Sequence, residues 1–366
     1  MRKEIAFYQL SLAGKAFLVP FYFGKKKIPF KPTFVSLEVE DVCNLRCLQC
    51  DLWKKKRNSK RMGLNKMKKV VGRLEKYLGV FQLGLSGGEP FLNKNTLSLI
   101  KYATNLGILV HANSNGFLID EGLAKRIVKS GLNSLSVSLD SLNPKIHNKL
   151  RGNPRAFEKA TKALSLLLKF KKPSKPFLSV TTIVMKPTVD GLENLVYWVQ
   201  KRGIDAIYFQ ALWQNFGARY DQDWFKKSDL WPSDSKKVLK TLDRLIQLKK
   251  KGYPIGNSEE ELKKYKGYFF DPTAFGKKRK CLIGANNFVV DILGNVRLCF
   301  NFSPIGNILE EKPEKIWNGK KAREQRLKIA SCKRGCKVLL CNQVMSKKEA
   351  LFLLINKLRR FLKIRT

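Results

Sequence analysis

Between residues 33 and 212 the chain switches repeatedly between short β-branched, apolar runs and stretches with helical periodicity. This alternation constrains the fold more than any other feature. Strands separated by helix-length segments form parallel sheets, because a parallel pair needs a long crossover. The strand-like runs are Thr33–Glu40, Val80–Ser86, Ile108–Asn113, Ser134–Leu139, Phe177–Met185 and Ala206–Leu212, with helices expected at 65–77, 93–105, 120–129, 155–170 and 190–201. The crossovers should all be right-handed. A length of 366 residues leaves room for one such unit plus a smaller one, and 44% hydrophobic content excludes whole-chain disorder. Composition alone does not separate a barrel from a doubly wound sheet.

Eight cysteines fall into two groups. Cys43, Cys47 and Cys50 sit on one short segment; Cys281, Cys299, Cys332, Cys336 and Cys341 lie near the end. Disulfide frameworks belong mostly to short secreted chains, and three clustered thiols cannot pair among themselves. The pattern reads as metal ligation, and with only two histidines mixed Cys/His zinc sites are poorly supplied. A [4Fe–4S] cluster usually takes four thiolates, so three leave one iron open to another ligand.

The spacing Cys43-x3-Cys47-x2-Cys50 resembles the radical S-adenosylmethionine (SAM) enzymes, and other runs carry the resemblance further. Gly87-Gly88-Glu89-Pro90 follows the second strand, Asn113-Ser114-Asn115-Gly116 the third, and Ser136-Val137-Ser138-Leu139-Asp140 closes the fourth, with Arg151-Gly152 soon after. All fall just past strand C-termini, where parallel α/β folds place their sites. The resemblance implies a partial (β/α)6 TIM-like barrel. It further implies that Cys43, Cys47 and Cys50 hold a [4Fe–4S] cluster whose fourth iron binds SAM. Gly87, Gly88, Glu89 and Pro90 would line the methionine end. Ser138 and Arg151 would hold ribose and carboxylate, Asp140 and Asn115 the ribose and the site wall, and the region of Gln210 the adenine. Reduction of SAM would give a 5′-deoxyadenosyl radical that takes a hydrogen atom from substrate, with flavodoxin or ferredoxin as electron donor. The family often has an aromatic residue before the third cysteine; here it is Gln49, with Trp53 as a substitute. Arg46 inside the loop would raise the cluster potential unless it faces outward.

The second group resembles the SPASM or twitch auxiliary-cluster module: Cys281-x12-Gly294-x4-Cys299, then Cys332-x3-Cys336-x4-Cys341. Asp291-Ile-Leu-Gly-Asn295 is hairpin chemistry that brings Cys281 and Cys299 together. Five thiols supply one auxiliary [4Fe–4S] cluster with one to spare, and a four-cysteine zinc ribbon is the alternative. The expected organisation is an apolar and basic helical extension (1–30), the radical SAM core (31–212), a bridge that shapes the substrate opening (213–280), a small cysteine-rich α+β auxiliary-cluster domain (281–341) and a basic amphipathic helix (342–366). In that helix Leu351, Leu354, Ile355 and Leu358 share one face, beside Lys357, Arg359 and Arg360.

Lys and Arg outnumber Asp and Glu by 72 to 29, a net charge of +43. Such a field attracts polyanions, so RNA or an anionic membrane surface stands as a partner beside a Lys-rich surface without specific purpose. A peptide or small-molecule substrate is the first expectation. RNA modification is the second, and a non-catalytic iron–sulfur or zinc scaffold binding nucleic acid the third. The low-potential chemistry suits the cytoplasm, with peripheral membrane association open through the two basic ends.

Overall fold

The computed structural model describes residues 2–22, 28–172, 176–215, 218–278 and 280–338, together with 350, 351, 354 and 355. Cys341 and residues 356–366 lie outside the described residues. The chain opens with helix α1 (Arg2–Tyr22) and then alternates. The elements are β1 (Phe34–Glu40), α2 (Leu64–Leu78), β2 (Gln82–Gly87), α3 (Thr96–Asn105), β3 (Leu109–Ser114), α4 (Glu121–Lys129), β4 (Ser134–Ser138), α5 (Pro144–Arg151), α6 (Ala156–Phe170), β5 (Phe177–Val184), α7 (Leu192–Lys201) and β6 (Ala206–Ala211). All six strands match their sequence positions within two residues; α5 is an additional short helix.

The strand order decides the architecture. β6-β5-β4-β3-β2-β1 are parallel neighbours in unbroken chain order. A doubly wound sheet would reverse direction at a switch point. Without a reversal, every right-handed crossover lands on the same side and the sheet curls into a partial barrel. Strand register sorts the side chains. Leu37, Leu85, Ala112, Leu135 and Leu178 align across five strands and are fully buried in the main core. The alternate positions are polar: Ser36 donates to Ser86 at 2.8 Å, His111 pairs with Ser134 at 2.8 Å, and Ser136 bonds Thr181. Because side chains alternate along a strand, one set packs under the helices and the other faces the barrel interior.

Three further helices, α8 (Ser235–Lys250), α9 (Glu259–Phe270) and α10 (Pro272–Lys278), follow β6. They are tied to its end: Tyr265 donates to Phe209 O at 2.9 Å and Tyr268 to Leu212 O at 2.7 Å. The cysteine-rich part then continues the same sheet. β7 (Asn287–Val290) is parallel to β1, and β8 (Asn295–Arg297) and β9 (Gly306–Asn307) add antiparallel. The predicted hairpin at Asp291–Asn295 is present, with Asp291 Oδ1 accepting from Leu293 N and Asn295 N, both at 2.9 Å. Helices α11 (Pro313–Asn318) and α12 (Lys320–Ala330) complete this part. Trp317 anchors it, packing edge-on against Phe288 and donating to Phe30 O at 3.1 Å.

The extension α1 docks onto this body through Tyr8, which donates to Gln82, and through the buried Lys15, which donates to Lys31 O and Asn286 Oδ1. Ala350 and Leu354 pack against Ala13, Ala16 and Phe17 of α1, whereas Leu351 and Ile355 are exposed. The C-terminal apolar face is therefore split. Residues 350 and 354 lie one turn apart on the docked side, and 351 and 355 are rotated away by about 100°. Among the described residues, no helix is long and apolar enough to cross a membrane.

Candidate active site

The first cysteine loop leaves the end of β1 and is clamped on two sides. Gly88 N donates to Glu40 O at 2.8 Å and Glu89 N to Val42 O at 3.1 Å, so the end of β2 lies directly on the loop backbone. A Cβ at Gly88 would sit 1.8 Å from Val42 O, which only glycine avoids. The other clamp is Leu48 N on Leu150 O at 2.9 Å, beside Gly152. Gly152 caps α5 at φ +63°, and a Cβ there would lie 2.3 Å from Arg46 O. Both glycine motifs seat the cysteine loop. The loop places Cys43, Cys47 and Cys50 within electrostatic reach of one another. Burial pushes all three thiols up, Cys43 to about 11. Iron must therefore displace a proton on binding.

Glu89 is buried and its carboxylate is committed. Oε1 accepts from Ser114 Oγ at 2.8 Å and Phe91 N at 3.3 Å, and Oε2 from Asn115 N at 2.8 Å. Burial raises it to about 7 despite these donors. Glu89 thus ties the β2 turn to the β3 turn. Pro90, buried, starts the short helical turn that follows. Asn115 carries the tie onward: its Nδ2 donates to Asn44 Oδ1 at 2.8 Å and lies 3.8 Å from Cys43 Sγ.

Asp140 and Arg151 come together as a buried ion pair, Nη2 to Oδ2 at 2.7 Å. Arg151 also hydrogen-bonds the Cys47 thiol, and its charge opposes the burial that raises that thiol. Asp140 Oδ1 accepts from Ile183 N at 3.2 Å, fixing the carboxylate to β5. His147, which the sequence does not single out, supports the pair. Its Nδ1 accepts from Asp140 N at 3.1 Å, and burial lowers it to about 4, so it stays neutral. Ser138 ends β4 opposite Thr181, and Gln210 lies in β6 opposite Ile183. Arg46 is exposed, its guanidinium 5.9 Å from the centre of the Trp53 ring. Trp53 Nε1 donates to Cys47 O at 3.3 Å.

In the second group three thiols, Cys281, Cys299 and Cys332, lie within electrostatic reach of one another. Cys281 feels both Cys299 and Cys332, and Cys299 feels Cys332. Asn301 hydrogen-bonds Cys299, and its Nδ2 lies 3.9 Å from Cys336 Sγ. Burial raises Cys281 to about 11 and also raises Cys299. Lys337 Nζ stitches the Cys332–Cys336 turn to α10, donating to Cys332 O and Gly276 O, both at 2.6 Å.

Comparison with known families decides what these sites belong to. Residues 37–196 match the radical SAM superfamily, and residues 281–342 match SPASM, an iron–sulfur cluster-binding domain. The chain belongs to the radical SAM superfamily. As a radical SAM enzyme it uses a [4Fe–4S] cluster and SAM, and its SPASM module carries auxiliary iron–sulfur chemistry. It is 25% identical over 304 residues to the AdoMet-dependent heme synthase of Methanosarcina barkeri, covering 78% of this chain and 82% of that one. It is 26% identical over 172 residues to the mycofactocin maturase MftC of Mycolicibacterium smegmatis, covering 47% of this chain and 43% of that protein. Among solved structures, Streptococcus suis SuiB aligns with TM-score 0.62 at 14% identity over 88% of this chain and 74% of that one. The enzyme anSMEcpe, with AdoMet and the Cp18Cys peptide, aligns with TM-score 0.62 at 18% identity over 91% and 99%. These likenesses show the fold.

The residues around the first loop fit the radical SAM cofactors. Buried polar atoms are normally hydrogen-bonded. Here Asp41 Oδ1, Asn44 Nδ2, Gln49 Oε1 and Arg151 Nε are buried without a partner, all close to the cysteine loop. Orphaned donors and acceptors beside three thiols suit a polar cofactor that completes them. Two residues escaped sequence reading. His147 and Asn301 act through others and carry no motif of their own.

Proposed function

We propose that this radical SAM enzyme modifies a peptide, with its SAM-binding [4Fe–4S] cluster on Cys43, Cys47 and Cys50 and one auxiliary [4Fe–4S] cluster on Cys281, Cys299, Cys332 and Cys336. The observation that supports the site assignment is the electrostatic proximity of Cys43, Cys47 and Cys50 on one loop and of Cys281, Cys299 and Cys332 in the auxiliary module, with Cys336 reached through Asn301; among the described residues no three of these groups are already drawn together as a metal site. Three thiols leave an iron for SAM; four close a cluster.

With cluster and SAM held by these residues, the site would supply radical chemistry that abstracts a hydrogen atom from the substrate. The chain's own residues orient and shield. Gly87 and Gly88 hold the loop against β2. Glu89 and Pro90 shape the turn at the methionine end, and Asn115 closes the wall beside Cys43. Ser138 lies at the ribose. Arg151, held by Asp140, presents its remaining N–H toward the carboxylate end. The exterior placement of Arg46 removes a charge that would raise the potential. The 213–280 segment forms the substrate opening, and flavodoxin or ferredoxin supplies the electron.

Two relatives in fold support the peptide reading: SuiB has been solved bound to its precursor peptide SuiA, and anSMEcpe with bound peptides. A second reading, a small-molecule substrate, is favoured by the match to the heme synthase over most of that enzyme's length.

The test is anaerobic reconstitution followed by addition of SAM and reductant. About eight irons per chain are expected for two [4Fe–4S] clusters. Release of 5′-deoxyadenosine from wild type but not from Cys47→Ala is expected, with a mass change on a peptide encoded beside the gene. Turnover with a tetrapyrrole and none with any peptide would favour the second reading.

A further inference from the structure

The segment after β6 touches both cysteine sites. Asn215 Nδ2 donates to Leu48 O and to Asp51 Oδ1, both at 3.1 Å, in the first cysteine loop. Five residues later the Arg334 guanidinium lies 4.2 Å from the centre of the Tyr220 ring, between Cys332 and Cys336 in sequence. Between this segment and the auxiliary module lies a half-open cleft of about 270 Å³.

Its walls are aromatic: Trp213, Tyr220, Trp224, Phe225 and Phe302. Trp213 and Tyr220 stack with centres 6.2 Å apart and planes within 17°. Its charges are all of one sign. Lys277, Lys328, Lys333 and Arg334 line it, and among the described residues no Asp or Glu does. Four cations around flat apolar walls select an anion carried on an apolar or planar frame. A volume below the ~300–1,000 Å³ typical of drug-sized ligand sites suits one or two side chains better than a macrocycle. The cavity also opens beside Cys332 and hence beside the auxiliary site.

We infer that this cavity receives a carboxylate side chain of the substrate, an Asp or Glu next to an apolar or aromatic residue, and so anchors an acidic peptide against the auxiliary module. The inference rests on the peptide reading above and deepens it. Three exposed lysines and the half-buried Arg334 around one open cleft raise the local concentration of an anionic segment. The aromatic walls add contact area that a free anion could not use.

The test uses the cluster-loaded full chain and two fluorescently labelled decapeptides, one of alternating Glu and Phe and its Gln–Phe counterpart. Anisotropy titration at low salt should show the Glu peptide binding at least about tenfold more tightly. The double variant Lys277→Gln/Lys328→Gln should lower Glu-peptide affinity by about 5- to 10-fold, with iron content and Gln-peptide binding unchanged. A control pair on the barrel helices, Lys169→Gln/Lys201→Gln, should leave it unchanged. Equal losses in both double variants would assign the binding to the overall positive field and overturn the inference, as would equal affinity for the two peptides. Displacement of the Glu peptide by glutarate or inorganic phosphate at the peptide's own concentration would also overturn it, by making the ligand a free anion. The two layers separate cleanly. Glu-selective binding without any peptide modification sinks the peptide-modifying function and leaves an acidic-peptide site. A modified peptide whose KM ignores Lys277→Gln/Lys328→Gln sinks the site alone.

Discussion

Asp140 and Arg151 form a buried ion pair at 2.7 Å, and the same guanidinium hydrogen-bonds Cys47. A carboxylate at the end of β4 thereby controls the surroundings of a thiol on the loop after β1. Replacing Asp140 with Asn keeps the volume but leaves Arg151 buried without its counter-charge. Breaking a buried pair by removing one partner costs about 3–5 kcal/mol. Asp140→Asn should therefore lower the unfolding free energy read from anaerobic chemical denaturation by about that much, with a lower midpoint, and reduce 5′-deoxyadenosine formation. A midpoint equal to wild type would mean that the pair does not carry its partner's desolvation.

Gly152 should tolerate no side chain. Its positive φ and the 2.3 Å approach of a Cβ to Arg46 O both oppose Gly152→Ala. The variant should bind less iron at the first site and lose more than about 1 kcal/mol of stability. Gly14→Ala offers the contrast. Gly14 lies inside α1 with open space where a Cβ would stand, so alanine should stabilise by about 1 kcal/mol. Iron content with thermal melts of the two variants checks both directions.

Lys15 makes stability depend on pH. Burial lowers it to about 7, whereas an unfolded lysine titrates near 10.4. Between those values the unfolded chain binds more protons, so this contribution rises with pH across that window and is least favourable below about 7. Lys15→Met removes the titration. The advantage of the Met variant over wild type should shrink steadily between pH 7 and 10. Denaturation midpoints of both proteins at pH 6.5, 8 and 9.5 measure it, and a constant difference would contradict the assignment.

The auxiliary ligand set predicts a change in iron count. Cys336→Ala should remove about four irons per chain, because it opens a four-thiolate site. A count that stays near eight would take Cys336 out of the ligand set.

The linear order of residues carried the chemistry. Cysteine spacing, the Gly87–Pro90 run and the alternation of strand and helix are local features, and each can be read without knowing what it touches. The six strands fall where their β-branched runs lie for the same reason. The alternation by itself could not decide between a barrel and a doubly wound sheet, which share it and differ in the spatial order of strands; the motif resemblance implied the barrel, and the strand order of the folded chain shows it. Only the folded chain could assign Glu89 to the β3 turn, bring Asp140 onto Arg151, and recruit His147 and Asn301, which act through partners seven or more residues away or across the module. The cationic cavity belongs to the same class. Its walls come from segments more than a hundred residues apart, and a charge total of +43 spread over the whole chain gives no hint that four of those charges meet. Motifs are written in sequence because bonding geometry within a turn is local; pairing across the fold depends on packing, which only three dimensions supply.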